Sequence, residues 1–115
     1  MQFIYLEKNG KKQRLFNKFK VMGALSRFVG LMFQPKATTP LLFTGNGRIA
    51  IHSYFCPLFD AVFLNKDKTV ITAVTVPPKK HVAGDKNAFF LLELPVGSIS
   101  KFTIKKGDKL TWTMK

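Results

Sequence analysis

The sequence predicts an all-β domain, a compact sandwich or barrel with one short helix, and three observations carry that prediction. Apolar residues fall in short stretches that alternate with a period of two, as strands require. The stretches recur at roughly eight-to-twelve-residue spacing, with turn signals between them such as Asn9-Gly10, Gly45-Asn46-Gly47, Asn65-Lys66-Asp67-Lys68 and Gly107-Asp108. Phenylalanine occurs 12 times, and one run, Thr69–Val76, is rich in β-branched residues, both suited to a pleated, half-buried surface.

Taken in order, residues 2–16 form a β-hairpin. Phe3 and Tyr5 alternate with Ile4 and Leu6, and Asn9-Gly10 is the dipeptide that a tight primed turn prefers. Met22, Leu25, Phe28, Val29 and Met32 recur at helical spacing, which places a short helix at Met22–Val29 with Gly30 as its left-handed cap. Leu41–Thr44, the glycine turn and Arg48–Phe55 read as a second hairpin. Ile49–Phe55 and Phe59–Leu64 read as two strands meeting at a corner at Cys56-Pro57, because Pro57 has no N–H for a ladder. In neither strand is an alternate set mostly polar, so both Ile49–Phe55 and Phe59–Leu64 are expected to be buried on both faces, or nearly so, with Asp60 the acid among apolar residues. Thr69–Val76 is the next strand, Pro77–Asn87 the longest loop, and Ala88–Leu94 an apolar strand closed by Pro95 and Gly97. Ser98–Phe102 suggests a helical turn, and Leu110–Met114 is the closing strand.

At 115 residues the chain reads as one domain, able to bury about two-thirds of its unfolded surface. A 46% hydrophobic content argues against disorder, and no apolar run is long enough to cross a bilayer. Residues 1–16 lack a secretory signal pattern and Cys56 is the single cysteine, so a reducing, cytoplasmic setting is expected. Nineteen Lys+Arg against six Asp+Glu give a net charge of +13, which favours contact with polyanions.

Four motifs in chain order resemble an uncharacterised family, domain of unknown function 192, in its archaeal form. They are Arg27-Phe28-Val29-Gly30-Leu31-Met32-Phe33; the pair Ile51-His52-Ser53 and Phe59-Asp60-Ala61-Val62-Phe63-Leu64; Leu92-Glu93-Leu94-Pro95-Val96-Gly97; and Lys106-Gly107-Asp108-Lys109-Leu110. They span about 21–110, with the hairpin 2–16 in front. The resemblance implies a compact, mainly β, jelly-roll-like domain and no known activity. The chain departs from the family pattern where Pro57 stands three residues before Asp60 rather than two, where Asn65 replaces a second acidic residue, and in its strong positive charge.

Few side chains carry chemistry. Arg27 lies in an apolar segment and needs acceptors, for which Asp60 and Glu93, both on predicted strands, are the candidates. A carboxylate at Asp60 among apolar neighbours must itself be paired or hydrogen-bonded. His52 and Asp60 flank one corner, while His81 falls in a distant loop. Arg27, His52, Asp60 and Glu93 are therefore the tentative binding residues of a groove. No catalytic residue stands out: Ser53 and Tyr54 sit in no activating motif, and Cys56 reads as a small buried hydrophobe. Two histidines and one cysteine offer no zinc-ligand spacing, no glycine loop has the form of a nucleotide loop, and no cofactor is expected. Basic residues cluster at 8–20, 79–86 and 101–115; Lys11, Lys12, Arg14, Lys105 and Lys106 are the tentative nucleic-acid surface. Sixteen lysines against three arginines favour phosphate contact over base reading. The expected function is a monomeric, non-catalytic binding module with a groove near His52, Asp60 and Arg27. A weak, non-specific nucleic-acid binder is the alternative, and a hydrolase using His52 and Asp60 ranks third.

Overall fold

The computed structural model describes residues 2–22, 39–45, 47, 51–52, 58–77, 81–82 and 86–113. Strands dominate, and the one helix among these residues is short. The predicted N-terminal hairpin forms as β1 (Phe3–Lys8) and β2 (Lys11–Phe16) around Asn9 and Gly10, both at positive φ. The closing strand β10 (Lys109–Thr113) pairs antiparallel with β1 on its other side, giving a three-stranded sheet in the order β10-β1-β2.

The second sheet holds five strands. These are β3 (Lys20–Met22), β4 (Leu41–Thr44), β6 (Phe59–Leu64), β7 (Val70–Val76) and β9 (Phe90–Pro95). Their spatial order is β3-β4-β9-β6-β7, with β3 and β4 parallel and the other pairs antiparallel. A separate two-stranded pair joins β5 (Ile51–His52) to β8 (His81–Val82). The helix α1 (Ser98–Phe102) lies where a helical turn was expected.

The two larger sheets meet at one corner. A bridge pairs Thr69 with Lys109, and the N–H of Val70 donates to Asp108 O while the N–H of Leu110 donates to Lys68 O. The start of β7 thus lies against the start of β10, and the strands follow one another as β2-β1-β10, then β7-β6-β9-β4-β3. Between the sheets sits a core of Ile4, Leu6 and Leu110 from one side and Val62, Leu64, Leu92 and Leu94 from the other, with Phe19 and Ile104 filling its ends. A second cluster, Leu41, Phe43, Phe59, Ala61, Phe63 and Leu91, covers the opposite face of the five-stranded sheet. All six residues of β6 are buried, as its two apolar faces require.

Several expectations are corrected. Leu41–Thr44 does not form a hairpin with the following segment: both edges of β4 are occupied, by β3 and β9, and β5 pairs with β8 instead. β5 and β6 belong to different sheets, which a corner between them allows, and the expected corner at Cys56-Pro57 lies outside the described residues. Met22 ends a strand rather than opening a helix, because Lys20–Met22 lies alongside Leu41–Phe43; residues 23–29 of the expected helix are outside the described residues. The long loop 77–87 contains β8.

Gly47 shows why the glycine turn is there. Its φ is +98°, and a Cβ would stand 2.7 Å from the carbonyl oxygen of Lys86, closer than packing permits. Replacing Gly47 by alanine is expected to lower stability by about 1–3 kcal/mol, through strained backbone and displaced carbonyl together. A urea titration checks this, with an unchanged midpoint as the contrary result.

Candidate functional site

Asp60 has no exposed surface and lies on the inter-sheet face of β6 with Val62 and Leu64. Its carboxylate is fully engaged. The Thr75 hydroxyl donates to Oδ1 at 2.7 Å, and the N–H groups of Gly97 and Ile99 donate to Oδ2 at 3.1 and 2.9 Å. Gly97 and Ile99 belong to the N-terminal end of α1, where no residue of the helix's own supplies a side-chain cap. Asp60 therefore satisfies, from a neighbouring strand, N–H groups that a helix start leaves without partners. Ser98 completes the turn by donating its hydroxyl to Pro95 O at 2.6 Å.

Glu93 is placed differently. In the register, Glu93 stands opposite Ala61 on β6 and Leu41 on β4, whereas Asp60 stands opposite Leu94. Because successive residues of a strand face opposite sides, the sheet separates the two carboxylates. Glu93 points to the face of Leu41, Ala61 and Leu91, is 4% exposed, and its Oε2 has no hydrogen-bond partner among the described residues. Burial raises its pKa from 4.5 to about 8, so at neutral pH the carboxyl is mostly protonated.

The four tentative binding residues thus do not gather at one point. Asp60 and Glu93 face opposite sides of the sheet, and Arg27 lies outside the described residues. His52 lies on β5, and the β5–β8 pairing makes His81 its register partner, so His81 is not in a distant loop. No signal in the sequence announced that pairing, since each strand is two residues long. Among the described residues no group of three metal-ligating side chains occurs. No helix of the described residues is long and apolar enough to cross a membrane.

The residues of the tentative nucleic-acid surface fall in two arrangements. On the outer face of the three-stranded sheet, Phe3, Tyr5 and Glu7 of β1 lie between Lys12 and Arg14 on β2 and Lys109 on β10. The Lys12 ammonium sits 4.7 Å from the Tyr5 ring centre, and the Arg14 guanidinium 4.8 Å from that of Phe3. The two rings meet edge to face at 6.1 Å. Both are half-buried, and Lys11, Lys12 and Arg14 are exposed. The alternation of Phe3 and Tyr5 against the buried Ile4 and Leu6 is the sequence signal for these rings, which the tentative nucleic-acid surface did not include. Lys105 and Lys106 are exposed in the turn before β10, where Asp108 accepts from the Lys105 N–H and pairs with Lys8 at 3.0 Å.

The family model described as "Uncharacterized ACR", domain of unknown function 192, matches residues 7–112. The chain belongs to this family. Among its relatives, a UPF0127 protein of Pyrococcus furiosus is 29% identical over 107 residues, covering 90% of this chain and 91% of the relative. Two solved structures share the fold. One is a protein of unknown function from Novosphingobium aromaticivorans, with a TM-score of 0.79, 18% identity and coverage of 96% of this chain and 84% of that one. The other is a candidate transcription regulator from Sinorhizobium meliloti, with a TM-score of 0.78, 20% identity and coverage of 97% and 94%. The family match begins at residue 7, so β2 and its cations fall inside it.

Two substitutions test the Asp60 carboxylate. Asp60→Asn is expected to lower the melting temperature and Asp60→Ala to lower it further, each orphaned buried donor costing about 1–3 kcal/mol. An unchanged melting temperature in both would show that the capping bonds contribute nothing.

For Glu93 the folded state keeps its proton to about pH 8, whereas the unfolded state loses it near 4.5. Its contribution to stability is therefore whole below about pH 4.5 and is lost as pH rises towards about 8. Glu93→Gln should remove that part of the pH dependence and leave the variant the more stable of the two at the alkaline end. Denaturant midpoints measured across this range decide it, and parallel curves for the two proteins would refute the assignment.

Proposed function

We propose that this protein is a non-catalytic binding module for single-stranded nucleic acid, held on the outer face of the β10-β1-β2 sheet without sequence reading. The observation that carries the reading is the layered set of Phe3, Tyr5, Lys12 and Arg14 on an exposed antiparallel sheet. Single strands are bound by cations that track the phosphates together with flat groups on which bases stack. A ring and a guanidinium both offer such a flat face. Lys109 extends the cationic surface across β10, and the net charge of +13 supplies long-range attraction. Glu7 is the one acid on this face, and its carboxylate accepts from the Thr111 hydroxyl at 3.2 Å.

The alternative groove at His52, Asp60 and Arg27 has less support, because the oxygens of Asp60 already serve α1 and Thr75. The same commitment weakens a hydrolase reading, in which Asp60 would orient His52. The Sinorhizobium meliloti protein described as a candidate transcription regulator is 20% identical and supports the fold alone.

Fluorescence anisotropy with a labelled single-stranded oligonucleotide and its duplex tests the reading. The single strand should bind more tightly, with a log–log salt slope of about −0.7 per phosphate neutralised. Phe3→Ala and Tyr5→Ala should each weaken it by about 1–3 kcal/mol, and Tyr5→Phe should not. Neutralising Lys12 and Arg14 together should flatten the salt slope for every sequence alike. Equal affinity for strand and duplex, insensitive to the ring substitutions, would defeat the proposal.

A further inference from the structure

The inner side of the same hairpin carries a feature that the outer-face reading does not use. On the inward side of β2, Lys11 and Gln13 alternate with Lys12 and Arg14, and Phe16 of the same strand packs on Phe102 of α1. A cleft of about 450 Å³ opens there, lined by Leu6, Lys8, Lys11, Gln13, Phe102 and Thr103, with Asn9 at the turn. That volume lies within the roughly 300–1,000 Å³ of small-molecule sites. Its floor is apolar, from Leu6 and Phe102, and no acidic residue lines it. Lys11 and Gln13 are exposed at its mouth.

The walls of the cleft are held rigidly. Phe102 is fixed by an edge-to-face contact with Phe16, ring centres 5.7 Å apart. Thr103 closes α1 at a φ of 51°, its N–H directed to Ser100 O. The Lys8 ammonium donates to Thr103 O and pairs with Asp108, so it ties the hairpin end to the helix end. A flat apolar floor beside an exposed ammonium, with an amide able both to donate and to accept, matches one chemical class closely. A nucleobase is flat and edged with donors and acceptors, and its attached phosphate needs a cation.

We infer that the cleft between the β1–β2 turn and the end of α1 is a nucleotide pocket, with the base over Leu6 and Phe102, its edge at Gln13, and the phosphate at Lys11. The strand-bound form of this inference rests on the proposed function: a chain lying on Lys12 and Arg14 reaches the pocket by folding over β2, which is the edge of its sheet. β2 presents Lys12 and Arg14 to one side and Lys11 and Gln13 to the other. A free nucleotide offers the same base and phosphate.

The test titrates the ¹⁵N-labelled full chain with a nucleoside monophosphate, with deoxyribose phosphate and with inorganic phosphate, reading amide shifts. The mononucleotide should move Leu6, Gln13, Phe102 and Thr103, and the two base-free phosphates should leave Leu6 and Phe102 in place. Gln13→Trp, a substitution at an exposed strand position, should fill the pocket, abolish those shifts and weaken single-strand binding together with them. In wild type, removing the bases of one end of the oligonucleotide should weaken binding by at least about fivefold, the lower end of what one stacked base contributes. Shifts confined to Phe3, Tyr5 and Thr111, or equal shifts from base-free phosphate, would overturn the pocket while leaving the outer-face reading intact. Nucleotide shifts in the cleft without any binding of the single strand would assign the pocket to free nucleotides and overturn the outer-face reading instead.

Discussion

A carboxylate without exposed surface must be given hydrogen-bond donors, and the way Asp60 obtains its donors organises much of this fold. Its three donors come from β7 and from the start of α1, so one side chain of a central strand fixes an edge strand and the helix together. With α1 held in this way, Phe102 packs on Phe16, and Thr103 lies within reach of Lys8. The hairpin is then anchored at both ends, by Ile4 and Leu6 in the core and by the Lys8–Asp108 pair at its tip. A break at Asp60 would be felt on the far side of the three-stranded sheet.

Glu93 illustrates the opposite solution to the same problem. It sits on the other face of the same sheet, among Leu41, Ala61 and Leu91, without comparable donors among the described residues. The carboxyl meets the cost of burial by keeping its proton, with its pKa pushed up to about 8. Two acids on adjacent, paired strands therefore differ in what surrounds them because the pleat sends them to opposite sides.

The surface is also divided by the pleat. On β1 and β2, the residues that alternate with the buried Ile4 and Leu6 form a layer of rings and cations. Cations on an edge strand have an ordinary purpose as well, since they discourage pairing with other chains. The half-buried rings of Phe3 and Tyr5 have no part in that purpose, and they distinguish this face from a merely solvated basic surface. Among the described residues, the cations that lie beside the rings come from β2, while Lys105 and Lys106 belong to the turn before β10.

Much of this was determined by the sequence alone. Asn9-Gly10 set the first hairpin, the run Phe59–Leu64, apolar apart from Asp60, required a strand buried on both faces, and Ser98–Phe102 was legible as a helical turn. The four motifs identified the family, and the isolation of Asp60 among apolar residues announced that it needed partners. Local patterns such as these depend on neighbours within a few residues, and the chain states them directly. Only the tertiary structure decided which strands pair. Leu41–Thr44 lies beside β9 and β3 rather than its sequence neighbour, because its buried side chains must meet the faces of Leu91 and Leu92, about fifty residues away. The donors for Asp60 lie 15, 37 and 39 residues from it, and the His52–His81 pairing joins strands too short to signal themselves. The separation of Asp60 from Glu93 likewise depends on register, which a single sequence does not contain, because a shift of one residue would exchange the two faces.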